Sequence, residues 1–348
     1  MQGNYLINLI SPRPRRYRVI EGTLKGRQTV ATLFWAQQYQ IQGWFGYQRQ
    51  LARAQFDNQL TTWAKAGIVV LDQQAKTVTL TPTGQQLAAE YRRDHYLPRC
   101  GHLSWLVNTN RLAQRLLLAI QVASEFAHHS HRYLPLDVST AEMAAVKQWF
   151  YTYRESIVST VGEECYQLGE SLAKTDSRWP QLFVSQLVGW QTTGMYDQQL
   201  QRSLQVSADS LSLMKHDVWL AIANQLNAHN DWLLTILIKP LLRRSPLSAS
   251  AEQTLTAYLG GMHIQQISER RHLKVTTIRE HLLSAAIQLP GVLDARQLIG
   301  QQRWREFRRR YTGPVDQWHW VSKDNEDPAE SFFAFRLYQI VRSQHIDG

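Results

Sequence analysis

Cysteine is nearly absent: the 348 residues include two, Cys100 and Cys165. They lie far apart and outside any CxxC spacing. That excludes a disulfide framework and a thiolate metal site, and it fits a reducing cytoplasm. Long apolar runs are missing as well. The most apolar stretch, Trp232 to Ile238, is far shorter than the roughly 20 residues a membrane helix needs. Met1 to Ile10 has no basic flank before a long apolar core, so neither a secretory leader nor a membrane partner is expected. Enzyme signatures are lacking too: there is no GxxxxGK[ST] phosphate loop, no GxGxxG behind a strand and no GxSxG elbow. Glu163 and Glu164 are sequence neighbours on one helix, so their carboxylates diverge instead of pairing. His128, His129 and His131 sit together without the fixed geometry and added carboxylate or thiolate that a metal site needs. The sequence therefore predicts no catalytic residue, no cofactor and no metal.

Acidic charge is also in short supply. The formal net charge is +10, with a sequence pI near 9.7. Such an excess favours polyanions, nucleic acid first and an acidic membrane surface second. The hydrophobic share is ordinary for folded protein, and the length predicts two or three domains.

The organising stretch is Gly261 to Leu282, which reads as a helix-turn-helix. Ile264, Ile267 and Arg271 share one helical face, with the Arg271 stem able to lie along apolar surface. Leu273 and Val275 follow in a short turn. Thr276 and Thr277 are good N-cap residues, and Thr277 with Glu280 has the spacing of a capping box. A second helix over 276–286 carries Ile278, His281, Leu282, Ala285 and Ala286 on its apolar stripe. Two short helices joined by a tight turn present the second to a major groove. Thr276, Thr277 and Arg279 are then the exposed readers, with Lys274 on the backbone. Arginine can contact guanine bidentately, and threonine can bond phosphate or a base edge. His281, on the apolar stripe, reads as a core histidine.

Taken in order, residues 1–95 begin with a basic segment, Arg13, Arg15, Arg16, Arg18, Lys25 and Arg27. Helical patterns follow over 29–41 and from Gly46 to Gly67. Two β-type runs, 68–71 and 77–80, precede a helix over 85–93. That order is winged-helix-like, with a short hairpin. Residues 96–245 read as a helical domain, and 246–348 as a C-terminal helix-turn-helix domain beyond a linker at Pro246 to Ser250. Within the last part, 296–311 is expected to be a basic amphipathic helix. Trp304, Phe307 and Tyr311 share a face, surrounded by Arg303, Arg305, Arg308, Arg309 and Arg310, all candidate phosphate contacts. A loop over 313–328 and a final helix over 329–342 close the chain. Trp35, Trp44 and Trp63 have the aromatic surface to stack on bases, but their helical spacing favours core packing.

An internal echo is visible without gaps. Gly194-Met195-Tyr196-Asp197-Gln198-Gln199-Leu200 parallels Gly261-Met262-His263-Ile264-Gln265-Gln266-Ile267. The likeness predicts a second helix-turn-helix unit at 194–214. Its second helix carries Asp209 and no arginine, so a phosphate-lined groove would repel it. This copy reads as structural or protein-docking.

Two places resemble the YpbB-like proteins of Gram-positive bacteria. One is Gly261 to Leu282, especially Gln266-Ile267, Arg270-Arg271, Leu273 and Thr277 to Leu282. The other is Arg16 to Phe34, in which Arg18 to Thr29 is similar to that family's basic N-terminal segment, although Lys25-Gly26-Arg27 and Val30-Ala31-Thr32 depart from its pattern. The resemblance implies a helix-turn-helix domain of the kind appended to some RecQ-type helicases, and an accessory role beside a RecQ-like helicase in DNA repair or recombination. The residues alone imply a mostly α, cytoplasmic, non-enzymatic DNA-binding protein that contacts DNA through 274–310. The helicase-accessory role that the resemblance implies makes a fork or a single-strand/duplex junction the expected ligand. A transcriptional regulator would need a two-fold operator and a dimer, and no heptad is visible. A pure scaffold would have no DNA affinity.

Overall fold

The computed structural model describes residues 4–321 and 327–344. The chain is mostly α-helical with one small sheet, as its patterning predicts. A two-residue strand β1 (Arg15–Arg16) precedes α1 (Tyr17–Leu24) and α2 (Val30–Gln38). Next come α3 (Arg53–Lys65), the hairpin β2 (Val69–Asp72) and β3 (Thr77–Leu80), and α4 (Pro82–Asp94). The helical middle contains α5 (Thr109–Ala127), α6 (Thr140–Ala173), α7 (Trp179–Val184), α8 (Asp197–Leu204), α9 (Ala208–Ala228) and α10 (Leu233–Ile238). The last part contains α11 (Ala249–Leu259), α12 (Ile264–Arg271), α13 (Val275–Gln288), α14 (Ala295–Ile299), α15 (Gln301–Arg310) and α16 (Pro328–Ser343). Among the described residues, no helix is long and apolar enough to cross a membrane.

Contacts divide the chain into two units, one of 1–15 with 43–244 and one of 16–42 with 245–348. This corrects the expected N-terminal domain of 1–95. Residues 16–42, read there as part of a winged-helix-like domain, fold instead with the C-terminal residues. The hairpin itself forms, with Val69 opposite Leu80 and Asp72 opposite Thr77 in a sheet ordered β1-β3-β2.

In the first unit, α9 is a core helix. Ser210 accepts from the Tyr96 amide (3.0 Å), and Asp217 accepts from the Tyr96 hydroxyl (2.7 Å) and the Arg99 and Cys100 amides (2.6 and 3.1 Å). The helix thus ties down the segment that follows α4. Glu142, fully buried at the start of α6, pairs with Arg111 at 2.7 Å and with buried Arg115. Burial alone would raise its carboxyl, but the hydrogen bonds from Arg111 and Arg115 outweigh burial and hold it low. Glu164 turns away from Glu163 to accept the Leu233 and Leu234 amides (2.6 and 2.9 Å), capping α10. His128 stacks on Trp190 at 4.1 Å.

In the second unit, α13 runs through the centre, with α11, α12, α2 and α16 packed on it. Leu247, Ala251 and Leu255 enclose Ala285 on one side. α1 and α2 cross closely because residue 22 is glycine: a Cβ there would lie 2.9 Å from the Thr32 hydroxyl oxygen. Thr29 caps α2 by accepting from the Thr32 amide (3.2 Å). α16 is buried on most of its circumference, its Tyr338 meeting Trp304 and Phe307 of α15 at 5.0 and 5.5 Å. The basic helix expected over 296–311 breaks in two at Gly300, whose φ of 86° lies in a region open to glycine.

Candidate nucleic-acid interface

α12 starts one turn later than Gly261. Gly261 itself turns the chain at φ 89°, and the His263 amide donates to the Gln266 side chain (2.9 Å), the return half of a capping box. The helix ends at His272 in the left-handed region, φ 51°. There the Leu273 amide donates back to the Ser268 carbonyl (3.1 Å), closing a tight turn. Arg271 is a bolt between helices: its guanidinium donates to the Ser250 carbonyl (2.7 Å), the Ser250 hydroxyl (3.0 Å) and the Thr254 hydroxyl. His281 sits 2.8 Å from the same threonine hydroxyl; burial, and then Arg271, lowers its pKa. The expected core histidine is therefore half-buried and hydrogen-bonded.

The N-cap of α13 is Lys274, not Thr276 or Thr277, and no side chain caps this end. The capping box expected between Thr277 and Glu280 does not form, because both residues already lie inside the helix. The Thr277 amide instead bonds the Lys274 carbonyl at 2.9 Å. The first amides of α13 thus have no side-chain acceptor, and an uncapped helix start favours negative charge. Lys274 and Thr276 are exposed there, while Thr277 is half-buried.

Arg279 departs from the expected reader. Its side chain is only 13% exposed and pairs with Asp327 (3.2 Å) and Glu330 (3.4 Å). Glu330 also meets Arg303 at 3.2 Å. Two of the candidate phosphate contacts are therefore tied to acids at the start of α16. The adjoining open groove, of about 810 Å³, has Asp294 and Glu330 in its lining and suits phosphate poorly. Arg305, Arg308, Arg309 and Arg310 are exposed on α15 and form no ion pair among the described residues. The Arg310 guanidinium lies 5.6 Å from the Tyr311 ring centre.

The echo at 194–214 is the same unit with its end closed. α8 and α12 start at equivalent positions, as do α9 and α13, and Gln205 matches His272 with φ 53°. The Tyr196 amide donates to Gln199 (2.8 Å) as His263 does to Gln266. Here, however, Ser207 caps α9 by accepting from the Ser210 amide (3.2 Å), and Asp209 follows. The first copy offers neither open amides nor a cation at that end.

Residues 250–337 match a family model described as a helix-turn-helix domain. Protein YpbB of Bacillus subtilis (strain 168) is 23% identical over 331 residues, spanning 93% of this chain and 92% of that protein. The chain is similar to that protein along most of its length. The match runs nearly end to end, so it takes in both helix-turn-helix units. The family model covers α11 through α15 and most of α16 but not the α1–α2 pair that packs with them. No solved structure matches. Sequence reading missed that pairing, since amphipathic patterning shows that a helix has a buried face but not which neighbour covers it.

Proposed function

We propose that this is a non-enzymatic DNA-binding accessory protein that works beside a RecQ-like helicase on DNA, in the cytoplasm and at the nucleoid. The observation that carries the reading is the open start of α13, with Lys274 and Thr276 exposed beside uncapped amides. The exposed arginines of α15, in the same unit, support it. A helix-turn-helix reads DNA chiefly through the first turn of its second helix. Here Thr276 of that turn and Lys274 before it are exposed. Phosphates would meet the α13 amides and Lys274, with Thr276 at a base edge or backbone, and α15 would hold the strand by charge. Because most of this binding goes to phosphates, the ligand is distinguished by shape more than by sequence, which suits forks and single-strand/duplex junctions.

The test is a titration of the full-length protein against fluorescent forked, single-stranded and duplex DNA at two salt concentrations. We expect salt-sensitive binding, strongest on forks. Lys274→Ala with Thr276→Ala should weaken it about tenfold, and replacing Arg308, Arg309 and Arg310 by Ala should lower the salt slope by roughly one per lost phosphate contact. Equal affinity of the variants and the wild type would sink the interface. Pull-down with a RecQ-like helicase then tests the partner.

A further inference from the structure

Arg336 of α16 is 9% exposed and meets no carboxylate among the described residues. Its guanidinium carbon lies 4.4 Å from the Phe34 ring centre, 5.3 Å from Phe332 and 6.0 Å from Trp35. Ring faces offset part of the charge but accept little of the N–H hydrogen bonding. Accordingly its Nη1 has no partner among the described residues, and neither has the buried indole Nε1 of Trp35. The charged neighbour is a second cation: Arg16, exposed, lies 4.7 Å from the Trp35 ring centre. Burial first, and Arg16 second, lower the Arg336 guanidinium to about 10. The acids of this unit nearest in sequence are engaged elsewhere, Glu21 with Arg18 and Lys25, and Asp327 and Glu330 with Arg279 and Arg303. A half-satisfied buried cation beside a like charge is costly, and orphaned buried donors call for an acceptor.

We propose that Arg16, Arg336 and the Trp35 indole form a binding site for a phosphate group. Two guanidinium groups lie about the Trp35 ring, and with its indole N–H they offer more donors than a planar carboxylate, which one fork saturates, can take up, so the set suits tetrahedral oxygens better. The phosphate belongs either to a nucleic-acid strand, which rests on the DNA-binding reading, or to a free anion. Each residue of the site comes from the same unit, Arg16 from the basic N-terminal segment and Trp35 from α2.

The experiment uses the full chain, unfolded thermally in millimolar inorganic phosphate and in sodium chloride of matched ionic strength. Phosphate should raise the melting temperature of the wild type above the chloride value, since a ligand of the folded state stabilises it. Arg16→Ala, at an exposed position, and Trp35→Phe, which keeps a ring while removing the N–H, should abolish that difference. Duplex DNA binding by the same variants distinguishes the sources. An affinity loss of about tenfold assigns the phosphate to a strand, and unchanged affinity assigns it to a free anion. If phosphate gives no shift beyond chloride, or both variants keep the full shift, the site is overturned and the orphaned donors hold water. A wild type that shows the shift but binds no DNA would sink the DNA reading and leave the site standing.

Discussion

Glu330 is one carboxylate shared by two arginines, Arg279 and Arg303, on the edge of the unit that carries the candidate interface. Such exposed pairs contribute about 0–1 kcal/mol each to stability, so their main effect is on charge presented to a ligand. Glu330→Gln should therefore leave the fold intact and raise DNA affinity several-fold at low salt, with less effect at high salt. Fluorescence anisotropy checks this, and unaltered affinity would place both arginines outside the contact. At the same scale, His216 governs a pH response of the other unit. Burial, reinforced by Arg49, lowers its pKa to about 4 from an ordinary 6.5. The unfolded chain then binds the extra proton between those values, so stability falls as pH drops from about 6.5 towards 4, by up to about 1.4 kcal/mol per pH unit. Urea unfolding at pH 7 and pH 5 should show the loss, and His216→Gln should flatten it.

Helix ends decide how the two equivalent units differ. Each ends its first helix on a residue forced into the left-handed region, Gln205 and His272. Glycine carries no Cβ penalty there, so Gln205→Gly and His272→Gly should each stabilise by up to about 1 kcal/mol, read as a higher melting temperature. A decrease at either position would show that its side chain contributes more than the backbone strain costs. The divergence lies at the next residues: Ser207 closes α9, whereas Lys274 leaves α13 open. One element type thus serves as scaffold in one unit and as candidate reader in the other. Gly300 performs a similar division in the basic segment, letting α15 leave the line of α14 so that Trp304 and Phe307 reach Tyr338 while the arginines stay outside.

At the scale of the molecule, the second unit is discontinuous in sequence, because α1 and α2 pack with residues 245–348. A fragment beginning at Ser245 would expose the face of α13 that α2 covers, together with the ring of Phe34 that lies over Arg336. We expect that fragment to lose cooperative unfolding, and a version with residues 16–42 joined to its end to regain it. Circular dichroism melting curves of the two decide the matter; a cooperative transition in the short fragment would show that the α1–α2 pair is dispensable.

Local chemistry was legible in the residues. The repeat at a fixed offset, Gly194 against Gly261, set both helix-turn-helix units and the equivalent starts of their helices, because caps and turns depend on residues a few positions apart. The β-hairpin, the amphipathic helices and the excess of positive charge were equally local properties. Tertiary structure alone decided which charges remain available and which segments fold together. Arg279 and Arg303 look free in sequence, and they meet acids 27 to 51 positions away only after α16 has packed on α13. Arg16, Trp35 and Arg336 come from opposite ends of the chain. Their meeting follows from burying the apolar faces of α1 and α2, a drive that is non-directional and so leaves no mark in the sequence of which partner will satisfy it.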